Sequence, residues 1–161
     1  MNKGEQVMTG FGDLLNKIVW LNKFKMEESL KGYKSSEVHC IEYIGGHTDP
    51  NVTKLAEAFY MTRGAISKLT KKLINKGIIE SYKKTDNKKE IYFRLTEQGK
   101  AVKKIHDDLH REFQERDRHV FEQVTEAEFD SMIRFVELYS EHLDSEIEKQ
   151  GIEIKQNLFE E

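Results

Sequence analysis

The chain has 161 residues, 34% charged and 37% hydrophobic, with one proline, one cysteine and a formal net charge of −3. That mixture suits a folded, helix-rich protein over a disordered or membrane one, and no apolar run approaches the roughly 20 residues needed to cross a bilayer. The charge is unevenly spread: residues 54–94 hold eleven Lys or Arg against four acids, a net +7, while the remainder carries −10, the pattern of a module that meets a polyanion at one surface.

The N-terminus has no apolar core followed by a small-residue cleavage site, so no secretory leader is expected there. With Cys40 lacking any intramolecular disulfide partner, a cytoplasmic protein without a membrane partner is expected. Phe11, Leu14, Leu15, Ile18, Leu21 and Phe24 follow helical spacing and predict a first helix over about 5–28, broken at Gly32. A second helix starts at Ser35 or Ser36, with a serine hydroxyl as cap, and ends at Gly45-Gly46. His47 to Asn51 is polar turn chemistry around Pro50. Val52 to Phe59 predicts a short helix with Leu55, Ala56 and Phe59 inward, and Tyr60-Met61 turns the chain. Thr62 caps a further helix that runs to Lys76 and stops at Gly77. Its apolar stripe is Ile66, Leu69, Leu73 and Ile74.

A hairpin follows, with extended segments over 78–83 and 90–95 and a charged tip between them. Strict alternation puts Ile91, Phe93 and Leu95 on one face and Tyr92 and Arg94 on the other. A long helix then runs from Thr96 to about Gln123 with Val102, Ile105, Leu109 and Phe113 inward. Thr125 and Glu128 form a capping-box signature for a last helix striped by Phe129, Met132, Ile133, Val136, Tyr139 and Leu143. Ile152, Ile154, Leu158 and Phe159 lie in a tail at 151–161.

The order of helix, short helix, tight turn, basic helix and basic hairpin is that of a winged helix-turn-helix, in which the second helix of the pair enters the major groove and the first braces it. Thr62, Arg63, Gly64, Ser67 and Lys68 are placed to face base edges, and Lys71 and Lys72 to meet phosphates. Lys83, Lys84, Lys88, Lys89 and Arg94 make the hairpin a wing toward the minor groove. Double-stranded DNA is therefore the expected partner. A half-site of a few base pairs supplies little specificity, which two copies repair, and the apolar stripes of the first and last helices need a partner surface. A homodimer is expected.

At Val52-Thr53-Lys54-Leu55-Ala56-Glu57-Ala58-Phe59, Met61 to Lys68, Leu73 to Ile79 and Leu95-Thr96-Glu97-Gln98-Gly99 the chain resembles the MarR family of regulators. The resemblance extends over nearly the whole chain. It implies a mainly α fold with a small β-hairpin, a single domain over 1–161 with a winged core at about 36–96, and N- and C-terminal dimerisation helices at about 5–30 and 97–150. It also implies a transcriptional regulator, a repressor by expectation, that reads a pseudo-palindrome. The family's wing usually carries an Asp-x-Arg-Asp-x-Arg pattern, whereas here the tip reads Thr85-Asp86-Asn87-Lys88-Lys89-Glu90. Lys88 or Lys89 stands in for arginine, as a point charge without arginine's planar fork.

Three candidates could switch such a protein. His106 and His110 are four apart on one helix face, the spacing of paired imidazole ligands. In the zinc-sensing MarR relatives a histidine begins the second helix and a pair follows the wing, so the resemblance implies zinc at His39, His106 and His110, with Glu27, Glu28 or Glu42 as a fourth ligand. Cys40 reads as a small buried residue, since nothing near it lowers a thiol pKa. Tyr33, Tyr43, Trp20 and Phe24 could line a cleft for a small organic effector. No phosphate loop, Cys-x-x-Cys, His-Glu-x-x-His or nucleophile elbow is present, so an enzyme is not expected.

Overall fold

The computed structural model describes the backbone of residues 1–157 and the side chains through Gly151. Over these residues the chain forms α1 (Lys3–Ser29), α2 (Ser35–Gly46), α3 (Val52–Phe59), α4 (Arg63–Asn75), β1 (Ile79–Tyr82), β2 (Tyr92–Leu95), α5 (Glu97–Phe121) and α6 (Glu126–Asn157). This is the expected mainly α fold with one antiparallel hairpin. Two compact units result, Met1–Gln114 and a second from Glu115 onwards.

In the first unit, local chemistry sets most helix ends. The Asn2 side chain accepts from Glu5 N–H, and the Glu5 carboxylate accepts from Asn2 N–H, so α1 starts two residues before the expected position. Gly32, at φ +93°, turns the chain toward α2. The serine cap expected for α2 is not used. Lys34 occupies the cap position and its N–H is taken by the Glu37 carboxylate at 2.7 Å. Asn51 caps α3 by accepting from Lys54 N–H. Tyr60 then takes a left-handed conformation, and Met61 N–H reaches back to the Ala56 carbonyl. Thr62 caps α4 as expected, its hydroxyl oxygen accepting from Ala65 N–H. Gly77 closes α4 at φ +72°, where a Cβ would be strained.

The core lies under the helix-turn-helix, with Ile41, Leu55, Ile66, Leu73, Ile78 and Ile79 all but sealed from solvent. Two stripe assignments are corrected by rotation around the helix axis. Thr70, not Ile74, completes the buried face of α4. His106, not Ile105, completes that of α5 beside Val102, Leu109 and Phe113. At about 100° per residue, position 106 sits closer to the mean direction of 102, 109 and 113 than does 105.

The ladder is shorter than expected, pairing Ile79 with Leu95, Ser81 with Phe93 and Tyr82 with Tyr92. Strict alternation fails before it begins. Ile91 is 48% exposed while Tyr92 is buried with Phe93 and Leu95, because Ile91 precedes the first paired residue and nothing holds it to the pleat. Gly99 lets the first turn of α5 lie against the backbone at Ile78. A Cβ there would lie 2.1 Å from the Ile78 carbonyl oxygen.

In the second unit, Thr125 and Glu128 form the expected reciprocal cap. No residue of α6 through Gly151 is buried. Phe121 and Phe129 stack across the turn at 6.4 Å. Gly151 does not end the helix, which continues through Asn157. The tail residues Ile152, Ile154, Leu158 and Phe159 fall outside the described side chains. Among the described residues no helix is long and apolar enough to cross a membrane.

Candidate nucleic-acid interface

α4 divides its surface sharply. Ile66, Thr70 and Leu73 are buried, and the Thr70 hydroxyl lies within hydrogen-bond reach of the Ile66 and Ser67 carbonyls. Thr62, Arg63, Gly64, Ser67, Lys68, Lys71 and Lys72 are all exposed. Gly64 has open space where a side chain would be, so the first turn offers bare backbone to whatever approaches. Behind it α3 buries Leu55 and Ala56.

Two carboxylates that sequence reasoning passed over hold this surface from behind. Glu37, on α2, is 1% exposed. Its oxygens accept from Lys72 of α4 and from Lys76 at its C-cap, each ammonium 3.0 Å from Oε1. Burial pushes its carboxyl up, but the Lys34 N–H and the two lysines outweigh that and bring it down to about 2. Lys76 also donates to the Gly32 carbonyl and lies over the Tyr33 ring. Lys72, expected at phosphate, is thus partly engaged by Glu37. The second carboxylate is Asp49, in the loop before α3. It accepts from Tyr82 Oη at 2.9 Å and pairs with Lys84.

The wing residues separate accordingly. Lys83, Lys88 and Lys89 are exposed, without a carboxylate partner among the described residues. The Asn87 side chain organises the tip by accepting from the N–H groups of Lys89 and Glu90. Arg94 pairs with Glu80 across the hairpin at 2.7 Å and lies over the Tyr82 ring. With Lys100, Lys103, Lys104 and Arg111 it lines a cleft of about 570 Å³ beside α5. Lys100 pairs with Glu97, Lys103 with Asp107, and Lys104 and Arg111 share Asp108, so each cation of the cleft is engaged by a carboxylate of the chain itself.

Of the metal candidates, His106 and His110 meet. Their Nε2 atoms are 3.1 Å apart, close to the roughly 3.3 Å separating two nitrogens on one tetrahedral zinc ion. Glu42 Oε2 stands 3.8 Å from His106 Nε2 and Asp107 Oδ1 3.9 Å from its Nδ1. That buried Nδ1 has no hydrogen-bond partner. Burial lowers the His106 pKa, and His110 and His39 act in the same direction against Glu42 and Asp107, favouring the neutral ring that ligates metal. His39 and His110 are exposed. Among the described residues no set of three His, Cys, Asp or Glu is preassembled around one point. The imidazole pair fits a metal, while any further ligand would have to move in.

Cys40 is fully buried and its thiol is pushed up to about 12, which keeps it protonated and inert. Tyr33 and Tyr43 pack against the core. Trp20 and Phe24 are exposed on α1, edge to face at 6.1 Å.

A braced, exposed second helix followed by a two-stranded wing defines a winged helix-turn-helix protein. Residues 34–91 match the MarR family model. With the relatives that follow, this match supports a MarR-family winged-helix regulator. It is 33% identical to YhjH of Bacillus subtilis strain 168, an uncharacterized HTH-type transcriptional regulator, over 109 residues, which are 67% of this chain and 62% of that protein. It is 26% identical to the HTH-type transcriptional regulator PchR of the same organism over 148 residues, 83% of this chain and 88% of that one. Its fold is similar to that of FabT from Streptococcus pneumoniae, solved in complex with DNA, with a TM-score of 0.74, 18% identity and coverage of 89% of this chain and 99% of that one.

Proposed function

We propose that the chain is a sequence-specific DNA-binding transcriptional regulator, a repressor that reads a pseudo-palindromic operator as a homodimer, with zinc as its effector. The observation that carries the reading is the exposed face of α4, polar and basic from Thr62 to Lys71, on a helix whose opposite face is sealed into the core. Such a helix can enter a major groove, with Arg63, Ser67 and Lys68 toward base edges and Lys71 toward phosphate. Lys83, Lys88 and Lys89 supply positive charge along the neighbouring backbone or minor groove. That FabT, of the same fold, was solved with DNA supports the partner. The names of PchR and YhjH support a role in transcription.

The homodimer rests on α1, none of whose residues is buried although it carries Leu14, Leu15, Ile18, Val19, Trp20 and Leu21. A face of that kind on a soluble protein marks an interface. Zinc rests on the facing imidazoles of His106 and His110, with Glu42 and His39 as the groups that would close around the ion. Bound there, the metal would supply a crosslink between α5 and α2, and hence a bias on the geometry that presents α4.

One binding experiment tests these readings together. Affinity for a duplex from the gene's own promoter region is measured across a salt series, with zinc and with chelator. Affinity should fall about a thousandfold between about 50 and 200 mM salt. Zinc should shift it, and His106→Ala and His110→Ala should abolish that shift. No binding at low salt overturns the DNA reading in favour of a winged-helix module that binds protein. Affinity that zinc leaves unmoved overturns the metal and returns the effector to a small organic ligand.

A further inference from the structure

We propose that Asp49 is a positioning residue that clamps the wing to the helix-turn-helix and, by pairing with Lys84, removes that lysine from the cations available to DNA. The proposal rests on the DNA-binding reading above and adds to it which residue sets the wing's place and which cations count.

Three consecutive residues do the clamping. Asp49 sits at φ +51°, a left-handed conformation in which aspartate and asparagine are among the few side chains readily accommodated. From there one carboxylate oxygen takes the Tyr82 hydroxyl of β1, and the other takes the Lys84 ammonium just past the strand. The Asp49 carbonyl accepts from Lys54 Nζ of α3 at 3.0 Å. The next residue, Pro50, offers its carbonyl to Phe93 N–H of β2 at 2.9 Å. The one after, Asn51, caps α3. Both strands of the wing and the first helix of the helix-turn-helix are therefore tied to one short loop. A two-stranded hairpin is marginally stable alone, so this attachment decides where the tip lies relative to α4.

The same contact alters the charge that DNA meets. Lys84 lies between a carboxylate and the face of Tyr92, with Nζ 5.1 Å from the ring centroid. Lys84 and Tyr82 hold the Asp49 carboxyl below the usual range, and Asp49 holds the Lys84 ammonium above its own. A cation already paired in this way recruits no phosphate and releases no counterion of the DNA. Lys83, Lys88 and Lys89 remain to do so. The sequence shows four equivalent lysines here; the fold divides them three to one.

The test uses the whole chain and two readouts. Amide hydrogen exchange of the DNA-free protein follows the wing from Tyr82 to Tyr92. Salt dependence of binding is measured on a duplex that the protein itself selects from a random-sequence pool. Lys88→Ala should lower the salt slope by roughly 0.9, one phosphate contact, while Lys84→Ala leaves it unchanged. Asp49→Asn keeps the left-handed turn and an acceptor for Tyr82 but loses the ion pair. It should raise wing exchange several-fold, and, by freeing Lys84, steepen the slope by up to about 0.9 while narrowing the preference for the selected over a scrambled duplex. A residue that merely stabilised the fold would not steepen the slope. The proposal is overturned if wing exchange in Asp49→Asn matches wild type, or if Lys84→Ala lowers the slope as much as Lys88→Ala. If the wild type selects and binds no duplex, the DNA reading fails and the positioning role falls with it; the exchange data then identify Asp49 as a structural clamp alone.

Discussion

In the helix-turn-helix, Leu55, Ile66 and Leu73 are wholly buried, whereas α1, 27 residues long, buries nothing. Both regions are patterned at helical spacing, and from the pattern alone they look alike. The difference lies in what each stripe meets. α3 and α4 cross within a few residues, so each covers the other, and the hairpin and α2 complete the seal. α1 presents apolar residues on more than one face, Leu14 with Ile18 and Trp20 with Phe24, at exposures from 40 to 68%. Periodicity states that a face is to be covered; it does not state by what. The core covers its stripe from within the chain, and the chain leaves that of α1 exposed.

The contrast is broken most forcefully inside the core. Leu73→Ala removes a side chain of zero exposure and should cost about 3 kcal/mol or more, read as a lower denaturant midpoint with unchanged slope. Leu15→Ala in α1 removes the same atoms from a residue 61% exposed. In dilute protein it should cost under about 0.5 kcal/mol. Equal losses in the two variants would show that α1 belongs to the core after all.

An intermediate effect is expected at Glu37, where the core borrows a charge to hold α4. Its carboxyl lies near 2 in the folded chain against an ordinary 4.5. Because the folded value is the lower one, the stabilisation is fully present above pH 4.5 and is lost as pH falls toward 2. The difference of about 2.5 units corresponds to about 3 kcal/mol. Glu37→Gln should therefore weaken the fold at neutral pH, by somewhat less than this because Lys72 is half exposed and reaches water. The variant should also flatten the acid limb between pH 4.5 and 2, as urea unfolding across that range would show. A limb as steep in the variant as in wild type would remove Glu37 from this role.

Glu37 and Asp49 also mark where the sequence stops being legible. The capped ends were readable, at Thr62, Gly77 and the Thr125–Glu128 pair, because each is set by neighbours within a few residues. The order of elements that makes a wing was readable for the same reason. The pairs that hold α4 and the wing in place join residues 39, 33 and 35 positions apart and leave no local signature. The inward turn of His106 in place of Ile105, and of Tyr92 in place of Ile91, was hidden by a finer ambiguity: a helical stripe is wider than one residue, and alternation starts only where a strand is paired. At the candidate site the exposed face of α4 could be named residue by residue, but the division of its lysines into paired and unpaired ones could not.

The smallest effect on the chain's own fold is expected where the effect on assembly is largest. Leu15→Glu with Trp20→Glu puts one charge on each of the two apolar faces of α1, at positions 61 and 66% exposed. Neither side chain leaves a cavity, and glutamate is a good helix former, so far-ultraviolet dichroism should match wild type. If α1 is where two copies meet, burying carboxylates there is strongly unfavourable. Sedimentation velocity should then show a monomer in place of the wild-type dimer. The wild-type unfolding midpoint should rise with protein concentration, as coupling of folding to association requires, while that of the variant should not. A double variant that still sediments as a dimer would move the interface off α1 and leave its apolar residues to a different occupant.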